Sequence, residues 1–140
     1  MKKRIISLVL LITAAVILFC ACKNGGANSA KVDSAALNSA AELGDGENSF
    51  VFVVEDASGQ KSVFNISTDK KIVGDALKEH NLISGDEGEF GLYVKTVAGK
   101  TYDYNKDGKY WAFYINGEYA LQGVDKTEIT NSETYMFKAE

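Results

Sequence analysis

Hydrolytic, redox and metal chemistry need histidine, cysteine or clustered carboxylates at defined spacings. This chain of 140 residues has one histidine, His80, and two cysteines, Cys20 and Cys22, which stand together near the N-terminus. His80 falls where a helix is expected to end, a place where the helix dipole favours a solvated imidazole, and no catalytic role follows from it. The run Asp103-Tyr104-Asn105-Lys106-Asp107-Gly108 reproduces the first six positions of a calcium loop, with oxygen ligands at one, three and five and glycine at six. Its twelfth position is Tyr114 rather than a bidentate glutamate, and the stretch after it has the character of a strand. A polar turn with Asp-Gly at its tip explains the same residues. No metal, no cofactor and no enzymatic activity is therefore assigned.

Aromatic residues carry the other candidate chemistry. All seven tyrosines and the single tryptophan lie from Tyr93 onward. Strand alternation over Tyr110 to Ile115 sends Trp111, Phe113 and Ile115 to one side and Tyr110, Ala112 and Tyr114 to the other. One side must be core. The other presents rings with polar edges, suited to stacking a flat ligand or a glycan or to meeting a partner protein. Tyrosine is also simply a good strand former, so each alone has an ordinary structural explanation.

The N-terminus sets the compartment. Lys2, Lys3 and Arg4 precede a mostly apolar run from Ile5 to Phe19, the layout of an export signal and shorter than a comfortable membrane span. The end of this run resembles a lipobox: Ala21-Cys22 offers the small residue that cleavage requires, although Phe19 stands where leucine is usual. Residues 1–21 are thus expected to be a lipoprotein signal peptide, with Cys22 lipidated and the protein anchored by lipid at the extracytoplasmic face of a cell membrane. The whole chain carries a net charge of −4, and loss of three basic residues leaves the remainder more acidic still. Nucleic-acid binding, which relies on basic patches, is excluded.

Residues 22–48 are rich in Ala, Asn, Ser and Gly and are expected to be a flexible linker, because they bury too little apolar surface to offset the entropy of ordering. Residues 49–140 form the single domain. Phe50 to Val54 and Ser62 to Ile66, joined by Asp56 to Gln60, predict a β-hairpin. Thr68 or Asp69 is a candidate cap for a short helix whose apolar face is Ile72, Val73, Ala76 and Leu77. A loop over Ser84 to Glu89 leads to a strand at Phe90 to Val97. Asn116-Gly117 is a type I′ turn signal, after which Tyr119 to Gln122 should pair back on Tyr110 to Ile115, and Thr134 to Lys138 closes the sheet. The order predicts an α+β, β-grasp-like fold: a mixed, mainly antiparallel sheet wrapped around one short helix.

Tyr110-Trp111-Ala112-Phe113-Tyr114-Ile115-Asn116-Gly117, then Leu121-Gln122-Gly123-Val124 and Ser132-Glu133-Thr134-Tyr135-Met136-Phe137, together resemble the transcobalamin-like C-terminal domain family. The resemblance spans roughly Ser49 to Glu140, with Ser132 standing where the family usually has glycine. It implies a β-grasp-like domain of unknown function, found among secreted bacterial lipoproteins. Vertebrate relatives use such a domain to cover one face of cobalamin, with a helical barrel on the other side that this chain lacks. The resemblance thus implies a binding module for cobalamin or a related corrinoid, with a partner protein supplying the rest of the site. Its ligand-binding candidates are Trp111, Leu121, Gln122 and Gly123, and the aromatic argument adds Tyr110 and Tyr114. The alternative is a surface interaction or adhesion protein that meets a protein or glycan through its tyrosine-rich face.

Overall fold

A computed structural model describes residues Ala40 to Glu140; the signal segment and Cys22 lie outside the described residues. The order of elements is β1 (Ala41–Leu43), β2 (Asn48–Glu55), β3 (Lys61–Thr68), α1 (Val73–Glu79), β4 (Ile83–Gly88), β5 (Gly91–Val97), β6 (Lys100–Thr101), α2 (Tyr104–Asp107), β7 (Trp111–Ile115), β8 (Glu118–Tyr119), a 3-10 turn (Val124–Lys126) and β9 (Thr134–Ala139). A six-stranded sheet has the order β1-β3-β2-β9-β7-β8, and β4-β5-β6 form a second, three-stranded sheet. The β2–β3 hairpin is followed by α1, and the last strand returns parallel to β2. That is the β-grasp arrangement within a strand-dominated α+β fold.

Alternation decides which faces are buried. Phe50, Phe52 and Val54 from β2, Tyr135 and Phe137 from β9, and Trp111 and Phe113 from β7 enter one core with Val73, Ala76 and Leu77 of α1 and Val94 and Val97 of β5. Rings interlock there: Phe52 and Phe137 meet edge to face at 6.2 Å, and Phe113 and Phe137 lie 5.0 Å apart. Tyr135 is fully buried, and its hydroxyl donates to Glu133 Oε2 at 2.7 Å and accepts from Thr130 N at 3.0 Å. This satisfied hydroxyl lets a tyrosine serve as core.

Four local expectations are corrected. Residues 84–88 of the expected loop belong to strand β4, because Gly88 and Gly91 close a hairpin that carries Asp86 against Tyr93. Neither Thr68 nor Asp69 caps α1: Ile72 is the N-cap, with no side-chain cap. Thr68 is spent in the β3 ladder opposite Asn48, and the first helical amide, Val73 N–H, donates instead to Thr127 O at 2.9 Å. His80 does stand at the helix C-cap, yet its Nε2 is buried without a hydrogen-bond partner, beside the backbone of Gly44. The connection after Asn116-Gly117 pairs over Glu118 and Tyr119 only, so Leu121 and Gln122 leave the ladder.

The stretch before Ser49 is not bare spacer throughout. β1 lies parallel to β3, with Leu43 opposite Ile66 and packed against the core. Farther along, Asp103 caps the turn α2 by accepting from Asn105 N at 3.0 Å, and Gly108 ends it in the left-handed region. Asp107 accepts from Asp103 N at 2.8 Å, so the first six residues of the calcium-loop pattern form a capped polar turn.

Candidate functional site

Where β8 peels away from β7, a cavity of about 290 Å³ opens. One wall is β7 with Trp111 and Phe113, another is β5 with Leu92, Tyr93 and Val94, and the departing segment Ala120 to Val124 forms the third. The peeling has a local cause. The tight Asn116-Gly117 turn, at φ 50° and 85°, starts a right-handed hairpin, but after Ala120 the chain must reach the 3-10 turn packed under α1.

Five of the six ligand-binding candidates converge here: Tyr110, Trp111, Leu121, Gln122 and Gly123 all line the cavity. Trp111 forms wall rather than rim. It is 6% exposed, and its indole N–H is shared between Lys95 O at 3.1 Å and Lys100 O at 3.2 Å, while Tyr102 packs on it at 5.0 Å. Its polar edge is therefore occupied and its ring is what a ligand would meet. Leu121 is the opposite case: fully exposed, it holds nothing in the core.

Gly123 is glycine for a reason the sequence hid. Its backbone is ordinary extended chain, φ −68° and ψ 157°, but a Cβ there would come within 2.5 Å of Asp125 Oδ1, and one on Gly91 within 2.6 Å of Asp125 Oδ2. The Asp125 carboxylate is wedged between these two glycines, with Oδ1 buried and without a hydrogen-bond partner. The missing side chain makes room for a carboxylate, and any substitution at Gly123 disturbs that packing.

Tyr114 does not line the cavity. It lies on the outer face of the sheet, where its hydroxyl donates to Glu140 Oε1 at 2.6 Å and its ring meets Tyr119 edge to face at 5.5 Å. The hydrogen bond to Glu140, then burial, push the Tyr114 hydroxyl up to about 12. The same bond, with help from Lys138, holds the Glu140 carboxyl below its ordinary range. Burial pushes the Tyr110 hydroxyl up, and Tyr104 meets that ring edge to face at 6.3 Å. Tyr104, Tyr110, Tyr114 and Tyr119 thus form one cluster around the end of β7, with Tyr104 and Tyr119 mostly exposed.

The sequence missed the β5 wall. Leu92 and Tyr93 signal a strand, but nothing local says that this strand sits opposite Trp111. A second feature lay in a turn motif: buried Asp56 accepts from Ser58 and Gln60 and pairs with Lys100, which joins the β2–β3 turn to the β5–β6 turn. Those partners hold the Asp56 carboxyl well below the usual carboxylate range, Lys100 contributing most. Among the described residues no group of three or more His, Cys, Asp or Glu side chains is placed to hold a metal ion.

Comparison with known proteins adds three findings. The family model described as "Domain of unknown function (DUF4430)" matches residues 70–140. The structure is similar to that of a candidate metal-binding protein from Ruminococcus gnavus ATCC 29149, with a TM-score of 0.64 and 28% identity over 67% of this chain and 97% of that one. It is also similar to haptocorrin in complex with Cbi, with a TM-score of 0.50 and 19% identity over 66% of this chain and 25% of the haptocorrin chain. No curated protein sequence matches the chain.

Proposed function

Because the chain belongs to the DUF4430 family, a transcobalamin-like family, we propose that it is a non-catalytic binding module, anchored by lipid at Cys22 on the extracytoplasmic face of a cell membrane. Its ligand is cobalamin or a related corrinoid. The observation that carries this is the convergence of Tyr110, Trp111, Leu121, Gln122 and Gly123, which come from both sides of a hairpin, on one cavity. A corrinoid is much larger than about 290 Å³, at the low end for small-molecule sites. The cavity therefore takes the rim of the macrocycle, and a second protein covers the rest. The bound Cbi in the haptocorrin neighbour supports the ligand class.

The test is fluorescence of Trp111, the sole indole, in the purified full-length protein in detergent, titrated with cobalamin and with cobinamide and corrected for their absorbance. Saturable quenching that weakens about tenfold or more in Leu121→Asp is expected. Leu121 is the residue to change because it carries no fold, whereas Gly123→Arg would displace Asp125. A flat titration into the high micromolar range, with the protein folded, removes corrinoids as a stand-alone ligand.

A second reading rests on the cluster Tyr104, Tyr110, Tyr114 and Tyr119, partly exposed and braced by Glu140. It is a surface interaction or adhesion protein, and a flat corrinoid titration puts it first.

A further inference from the structure

Main-chain polar groups at the cavity are left without main-chain partners. Tyr110 and Glu140 exchange both of their N–H···O=C bonds, at 2.9 and 3.0 Å. Given the register Trp111↔Ala139, Ala112↔Lys138, Phe113↔Phe137, Ala112 points its main-chain groups at β9, and Trp111 and Phe113 point theirs the other way. On that side Ala120 N–H donates to Phe113 O at 2.9 Å, and the β7–β8 ladder goes no further than Tyr114↔Tyr119. Trp111 N–H, Trp111 C=O and Phe113 N–H have no main-chain partner among the described residues.

The facing wall repeats the pattern. The two-residue turn closed by Gly88↔Gly91 puts the hydrogen bonds of Gly91 and Tyr93 on β4, so Leu92 and Val94 turn theirs away from it. β6 does not reach them, because its pairing covers Thr96 and Val97 only. Leu92, Val94, Trp111 and Phe113 all line the same cavity, so two open strand edges border one gap.

Open edges invite pairing, and proteins blunt them with charge, proline or cover. Such devices occur elsewhere in the fold: the edge strand β4 carries Asp86 and Glu87, and β1 covers part of β3. At the gap there is no proline, and the flanking side chains are Tyr93, Tyr110, Tyr119 and Leu121. A main-chain group left without a partner as water is excluded carries a free-energy cost that an incoming strand relieves. An occupant that supplies alternating donors and acceptors along an extended line, with an apolar side chain every second residue, satisfies the edges and the Trp111–Phe113 wall together.

We propose that the gap is a strand-addition site for an extended segment of a partner protein, whose main chain pairs with Trp111 of β7 and whose large apolar side chain enters the cavity. The volume admits one such side chain with its adjoining main chain, and no folded element. This goes beyond the corrinoid reading and does not rest on it.

The probe is a set of short synthetic peptides alternating Thr with Val, Leu, Phe, Tyr or Trp, each with a counterpart N-methylated at every second amide. The readout is amide hydrogen exchange and chemical shift in the isotope-labelled full-length protein. Amide exchange at Trp111 is expected to slow about tenfold with at least one peptide and to be unchanged with its N-methylated counterpart. No protection by any peptide overturns the proposal. Equal effects of the methylated form overturn it too, since side chains alone would then account for binding. Corrinoid quenching without peptide protection removes strand addition and keeps the corrinoid reading; peptide protection with a flat corrinoid titration does the reverse.

Discussion

At the scale of single residues, burial and partners separate groups that look alike in the sequence. Trp111 and Leu121 both line the cavity, yet one is locked into the core by two carbonyls and the other is free. Asp56 and Asp125 are both aspartates beside turns. Asp56 is fully partnered by Lys100, Ser58 and Gln60, while Asp125 keeps a buried oxygen unpaired. Asp56 has its carboxyl held below the ordinary value of 3.8. Its stabilising contribution is therefore present above about pH 4 and is lost as pH falls through the lower folded value. Asp56→Asn should lower the melting temperature at neutral pH, with the gap to the parent protein narrowing as pH drops below that of an ordinary carboxylate. Thermal denaturation across an acid pH series reads this directly.

At the scale of elements, the β7–β8 hairpin sets the site. Its turn requires positive φ at Asn116 and Gly117, 50° and 85°, which a β-branched residue adopts only with strain. Gly117→Val should cost about 1–2 kcal/mol in urea denaturation, and it should loosen the cavity because Ala120 to Val124 hang from this hairpin. The alternation of Trp111 and Phe113 was legible from the period of two along one strand, and the Asn-Gly signal from the positive φ that its turn requires. The early end of the β7–β8 ladder was not. Where a strand stops pairing depends on where the 3-10 turn must sit beneath α1, and no local residue pattern encodes that.

At the scale of the molecule, β1 and β8 occupy opposite edges of the six-stranded sheet, about 24 Å apart at the usual spacing between strands. The chain enters the described domain beside β1, so with the proposed anchor at Cys22 the cavity lies at the far edge from the tether. Starting the chain at Asn48 should cost about 1–2 kcal/mol of stability, the worth of burying Leu43 and its strand. It should leave any corrinoid-induced quenching unchanged. Denaturation and titration of the truncated protein check the two halves of this expectation.

Local sequence was enough for the α+β class and for the β2–β3 and β7–β8 hairpins, because alternation and turn chemistry act over a few residues, while Trp111, Leu121, Gln122 and Gly123 came from the family resemblance. The other placements came from packing between distant segments. That packing placed β5 across from β7, sent Tyr114 to the outer face beside Glu140, set His80 Nε2 against Gly44 and gave Gly123 to the Asp125 carboxylate. Those outcomes depend on contacts between segments far apart in the chain, which are fixed by how the two sheets pack and by where each ladder runs out of partners.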